Sequence, residues 1–220
     1  MQESKPSAGQ AKKRSRLTSE AITEAAIRLA DAEGLEAVSI RRVAAELDAR
    51  AMSLYDHFES KRELLVSMAD VGVGEILTPK PLPSDWREAV AVSARRMYAA
   101  YARHPWMLFI HAERAPPGPN GVKIAKQMAR ALAALPLEHE DVWQVQGIVN
   151  DYVIGYSFRT VGPFDPEDME AAIAASDVAE FPELGALPDN LRARSSIERF
   201  ELGLQTVLDG VERRFLDQPD

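Results

Sequence analysis

The stretch "SLYDHFESKRELL", Ser53 to Leu65, joins two short helical segments and decides how the rest of the chain is read. Ahead of it, Ser39 offers a hydroxyl that can cap a helix over "IRRVAAEL", ending near Leu47; "DAR" then leads into a further short helix expected from Ala51 to about His57. A helix of about seven residues, a turn of three or four and a second short helix is the size of a helix-turn-helix, whose second helix lies in the major groove. In that frame Ser39 caps the first helix and Arg41 and Arg42 sit early in it, and all three are expected DNA contacts. Arg50, Ala51, Met52, Ser53, Tyr55 and Asp56 lie at or on the second. Small side chains at Ala51 and Ser53 let that helix approach base edges, while Tyr55 can donate to a phosphate or pack on a thymine methyl group. Leu54 and Phe58 are spaced to face inward. Ser60 caps the next helix, and Lys61 falls in its first turn, where free N–H groups and a cation can jointly hold a phosphate. Tyr55, His57 and Lys61 are therefore expected at one joint because a DNA backbone runs past it.

Outward from this motif, composition sets limits. The 220-residue chain, 46% hydrophobic and 27% charged, is long enough for one large or two small domains. It has no apolar run of about eighteen residues, and "MQESKPSAGQAKKRSR" lacks the apolar stretch of a signal peptide, so neither membrane nor export is expected and the cytoplasm is the expected location. Without Cys there is no disulfide framework, thiolate nucleophile or Cys-ligated zinc. The net charge of -8 is uneven: residues 1–62 hold 11 Lys and Arg against 10 Asp and Glu, the remainder 15 against 24. Lys12, Lys13 and Arg14 open the basic run "KKRSR", which suits a nucleic-acid-binding head on an acidic body and equally a solvated tail.

Helical periodicity runs throughout, so the expected fold class is all-α. A flexible basic arm (1–16) precedes a helix-turn-helix domain (17–66), whose fourth helix, starting at Lys61, continues toward residue 77. A regulatory domain spans 84–217 after the Pro-rich "TPKPLPSD". The first helix is expected from Thr18 to Glu33, with Thr18 or Ser19 as N-cap and Gly34 as its stop. In the second part, helices are expected at Trp86–Arg103, from His104, at Val122–Leu135, at Asp141–Thr160, near Glu167–Ala175 and at Ser195–Leu216.

The span from Leu17 to about Val66, and above all "SLYDHFESKRELL" with its leucine-tyrosine, histidine-phenylalanine, lysine and leucine pattern, resembles the DNA-binding domain of the TetR family of transcriptional regulators. "HPWM", "PPGPN", "VIGYSF" and "RFELGLQTVLDGVERRF" resemble the C-terminal domain of its tetracycline-repressor-like branch. Two positions depart from the family: Asp48 stands where glycine is usual, and Arg50 where serine or threonine commonly caps the recognition helix. Asp tolerates left-handed geometry, and Arg50 implies that the cap comes from elsewhere.

The resemblance implies a homodimeric regulator, by family habit a repressor and alternatively an activator, that binds double-stranded operator DNA and responds to a small-molecule effector. For the effector pocket the body supplies Met97, Tyr101, Trp106, Met107, Phe109, Met128, Trp143 and Tyr156, with His111, Gln146 and Asn150 as polar contacts; the same large side chains would equally make a core. His111 matches the metal-coordinating histidine of tetracycline repressors, but Arg159 stands where the metal-assisting carboxylate is expected, so no metal and no cofactor are carried over. The resemblance places the dimer interface on the last two long helices, at Tyr152, Ile197, Phe200, Leu204, Val207, Leu208 and Val211. An enzyme is the competing reading, with Glu113, Glu138, Glu140, Asp141 and Asp151 as acids. None comes with a nucleophile, a phosphate loop or metal-ligand spacing, and no catalytic residue is assigned. A pure interaction bundle would explain the apolar helices but not the basic run and the two short helices.

Overall fold

The computed structural model describes residues 17–112, 117–133, 135–161, 171–172, 175 and 195–216. Within them run α1 (Ser19–Glu33), α2 (Ile40–Glu46), α3 (Ala51–Leu54), α4 (Lys61–Gly74), α5 (Trp86–Arg103), α6 (Trp106–Ala112), α7 (Pro119–Leu132), α8 (His139–Val161) and α9 (Ser196–Phe215), with a 3-10 turn at Leu35–Ala37. The described residues contain no strand, and the fold is all-α. Lys12, Lys13, Arg14, Glu113 and most of the short helix expected near Glu167–Ala175 lie outside the described residues.

Local chemistry starts most of these helices. Thr18, Ser39, Ser60 and Asp85 accept from the backbone N–H three residues on, at Ala21, Arg42, Glu63 and Glu88, and Ser195 forms a reciprocal capping box with Glu198. Gly34 ends α1 at φ 86°, where a side chain would be strained. Asp48 holds φ 50° between α2 and α3, so the turn keeps its left-handed residue without glycine.

Against their expected bounds α4 ends at Gly74, α6 starts at Trp106 and α8 at His139, and two further helices differ for a visible physical reason. The α-helical part of α3 stops at Leu54 rather than His57, because the chain tightens: His57 N–H reaches Leu54 O (3.0 Å) and carries Phe58 into the core. Arg50 makes no side-chain cap there. The other, α7, begins at Pro119, three residues before Val122. Pro at the first turn loses nothing by lacking an N–H, and the cap arrives from α4: Asp70 Oδ1 accepts from Asn120 N (2.9 Å) and Gly121 N (3.3 Å). Gly118 permits this approach, since a Cβ there would collide with that carboxylate.

The head is built on Ile22, Ala26, Leu29, Val38, Val43, Leu54, Phe58, Leu64 and Met68, all buried. Because α4 packs against α1 as well as α5, α6 and α7, it belongs to head and body together. In the body α5 is central, touching α6, α7, α8 and α9. Arg95 clamps it to α9 through both oxygens of Glu201 (2.8 and 3.0 Å), and Arg87 pairs with Asp209 and with Glu212 (2.9 Å). Arg96 of the same helix donates to the carbonyls of Glu75, Ile76 (2.7 Å) and Leu77 (2.8 Å), satisfying backbone acceptors just past the end of α4.

Candidate nucleic-acid interface and ligand cavity

Of the expected DNA contacts in the head, Arg41, Arg50, Met52, Tyr55 and Lys61 are exposed, Met52 by 73% and Tyr55 by 48%. Ala51 and Ser53 are half-buried beside them. Three others have occupations of their own: the Ser39 hydroxyl caps α2, Arg42 donates to Glu33 (2.6 Å), and His57 Nδ1 faces Ser19 Oγ at 3.4 Å. The start of α4 is also less open than expected. Ser60 Oγ accepts from Glu63 N, and Glu63 reaches back to accept from Glu59 N at 2.6 Å, so Lys61 stands next to an already capped terminus and beside an acid.

In the body, a cavity of about 680 Å³ lies between α4, α5, α6, α7 and α8. Its wall is mainly aliphatic and thioether, with Met97, Tyr101, Met107, His111, Met128, Trp143, Gln146 and Asn150 on it. Tyr101 is buried, and desolvation pushes its phenol up to about 12, so it is neutral at physiological pH. Trp143 (65% exposed) and His111 mark the open side. Three residues expected here are elsewhere. Trp106 is buried where α6 meets the head, its Nε1 donating to Asp31 Oδ1 (2.7 Å). Phe109 points outward, 46% exposed, edge-on to Phe158. Tyr156 donates to Ser196 O (2.5 Å) and packs among Tyr98, Tyr152 and Phe200, binding α8 to α9. Arg159 likewise is off the cavity, stacked on the Tyr156 ring at 5.0 Å, so the opposition to a cation expected of it does not arise there. Among the described residues no three His, Asp or Glu side chains converge.

Against this geometry, the family models give a direct answer. Residues 22–68 match the bacterial regulatory proteins of the tetR family, and residues 78–215 match the tetracyclin repressor-like C-terminal domain. The chain belongs to the TetR family. It is a ligand-responsive, DNA-binding transcriptional repressor. Over 214 residues it is 31% identical to the HTH-type transcriptional repressor DrrR1 of Streptomyces coeruleorubidus, spanning 89% of this chain and 77% of that protein. It is 28% identical over 204 residues to the tetracycline repressor protein class A from transposon 1721 of Escherichia coli, covering 89% and 90%. The solved structure of the Streptomyces coelicolor TetR family protein ActR in complex with (S)-DNPA is similar with a TM-score of 0.76 at 28% identity, over 90% of this chain and 98% of that one. ActR in complex with actinorhodin gives 0.75 at 28%, over 90% and 97%.

In this TetR-family repressor the α8–α9 pair differs from the interface expected of it. Phe200, Leu204, Leu208 and Val211 are 4% exposed or less: they fill the subunit's own core against α5 and α8 and have no surface to offer a partner. Tyr152 and Val207 are half-buried, the Tyr152 hydroxyl donating to Phe200 O (2.7 Å). Besides Trp143 at the cavity mouth, the large outward apolar residues of the pair are Ile197 (63%), Leu202 (53%) and Ile148 (42%). Sequence reasoning had singled out only Ile197 among these, because three- and four-residue spacing marks a stripe without saying which side of a two-sided helix is inside. It also missed Asp31 and Asp70, whose partners lie far along the chain.

Proposed function

We propose that this repressor binds a palindromic operator as a homodimer and that a small, largely apolar molecule in the α4–α8 cavity releases it. The observation that carries this reading is the double membership of α4. Leu64, Leu65 and Met68 sit in the buried core with α1 and α3, while Val66, Asp70, Val73 and Ile76, from the same helix and its end, line the cavity. A molecule that moves that wall moves the head.

A second route runs through α6, which brings Met107, Ile110 and His111 to the cavity. At its start, His104 and Trp106 both hold Asp31 of α1. Exposed Ile148, Ile197 and Leu202 on α8 and α9 supply the dimer contact. There the backbone at Gly147, Gly155 and Gly210 is open to close approach. A two-fold dimer then places two α3 helices on half-sites one DNA turn or a small multiple apart. Release needs only that the effector prefer the arrangement that does not fit DNA: tenfold per site is about 1.4 kcal/mol, and two sites double it. That ActR has been solved with (S)-DNPA and with actinorhodin supports an organic effector for a cavity of this kind. Selection of bound DNA from a random pool tests the operator claim. Recovery of a palindrome is expected, and recovery of single half-sites or of no consensus overturns the dimeric reading.

A further inference from the structure

Two polar side chains are buried on the inner face of α8, and they differ: Ser157 donates to Val153 O (2.7 Å), whereas Gln146 is left unsatisfied. Its neighbours along that face, Val149 and Val153, are buried and apolar, and Gln146 is buried with them at 9% exposure. Its Nε2 is the buried side-chain polar atom that finds no hydrogen-bond partner among the described residues. An apolar residue would fill this position at lower cost, since a buried amide N–H left unpaired loses its water and gains nothing. Yet the side chain lines the cavity, so a molecule inside can supply the missing acceptor.

The other polar groups on the wall narrow the chemistry. Asp70 has its Oδ1 engaged by the first turn of α7, and Lys126 and His111 are exposed on the open side. The one carboxylate on the wall, Asp70, is hydrogen-bonded to α7 and no cation lies on the inner side, so an anionic ligand would surrender its hydration uncompensated there. Tyr101, held neutral by burial, adds an uncharged hydroxyl to the Gln146 carboxamide on the same wall.

We infer that the effector is a largely apolar molecule without an anionic group, bearing a carbonyl-type hydrogen-bond acceptor, which it presents to the Gln146 carboxamide. This rests on the reading of the cavity as the effector site and adds the chemical class that site selects. The test is calorimetric titration of the full chain with three probes of one shape: benzophenone, diphenylmethane and diphenylacetate. Benzophenone is expected to bind about tenfold more tightly than diphenylmethane, the range of one buried neutral hydrogen bond, and diphenylacetate more weakly than either. Gln146→Leu should remove the preference for benzophenone while leaving diphenylmethane affinity and the melting temperature unreduced; Gln146→Met serves if the Leu variant misfolds. Equal affinities for benzophenone and diphenylmethane, a preference that survives both variants, or tightest binding of diphenylacetate would each overturn the inference and leave the cavity as an effector site. A clear drop in melting temperature for both variants would also overturn it, by giving Gln146 a structural role. Failure of all three probes to bind would instead remove the cavity from the functional reading, and the inference with it.

Discussion

Asp31 Oδ1 and His104 Nδ1 lie 2.7 Å apart although 73 residues separate them, one at the end of α1 in the head and the other where α5 passes into α6. The same oxygen accepts from Trp106 Nε1, and the far nitrogen of His104 faces Glu75 Oε1 at 3.3 Å, just beyond α4. His104 is buried, so α1, α4 and α6 meet on one ring. Asp31→Ala leaves two buried donors without their acceptor, at about 1–3 kcal/mol for each group stranded. Denaturant unfolding should show a loss of that order. In release assays the variant should need more effector for half-release while binding it as tightly as before, because α6 can then move without carrying α1. A normal half-release concentration would place the coupling in α4 alone.

For DNA contact, Lys61 and Arg42 should separate. Lys61→Ala, removing an exposed cation at the joint, is expected to weaken binding to all sequences alike and to lower the salt dependence by about one counterion. Arg42→Ala should do less, because Arg42 already donates to Glu33. Tyr55→Phe and Arg41→Ala should weaken operator binding without loss of fold. A Lys61 variant with an unchanged salt slope would remove the phosphate contact assigned to it.

The caps at Thr18, Ser39 and Ser60, the stop at Gly34 and the left-handed Asp48 were legible because each is decided within a few residues of chain. Most of the head was legible for a related reason: the apolar spacing of α1, α2 and α4 has one inside, although the end of α3 was set by a tightened turn that spacing does not show. The body was less so. Asp70 caps α7 from 50 residues away, and Trp106 looks like pocket lining until Asp31 is seen to take its N–H. Phe200 and Leu204 share a helix with Leu202, and only packing against α5 and α8 reveals that the first two are inside and the third outside.

That distinction can be measured. Leu202→Arg puts a charge on the exposed side of α9 and is expected to yield a folded monomer by sedimentation, with unchanged helical circular dichroism. Leu204→Arg buries an unpaired charge where exposure is now 0%, and should unfold the subunit. A Leu202→Arg protein that remains dimeric would move the interface off this face.

Two aromatic residues likewise divide the cavity from its surroundings. Trp143→Ala should blunt the response to effector, with operator affinity near normal, since Trp143 lines the open side. Phe109→Ala should leave the response intact, because that ring lies outside and meets Phe158. The reverse pattern in release assays would relocate the effector.

The contact between Asp70 and the start of α7 gives the last prediction. Asp70 is on α4, lines the cavity and accepts from the first turn of α7 twice over: its Oδ1 takes the Asn120 and Gly121 N–H groups, and its backbone carbonyl takes Asn120 Nδ2 (3.0 Å). Asp70→Ala removes a cap, at about 0.5–2 kcal/mol. Because the cap joins two walls of the cavity, the loss should show first as faster amide exchange at Asn120 and Gly121, and only then in global unfolding. Gly118→Ala attacks the same contact by different means: its Cβ would displace the carboxylate instead of deleting it. The two variants should therefore share one exchange pattern, and the double variant should be little worse than either alone, as expected of two changes that break one interaction. Additive losses would show that Gly118 and Asp70 act independently, and that the α4–α7 junction is held by something else.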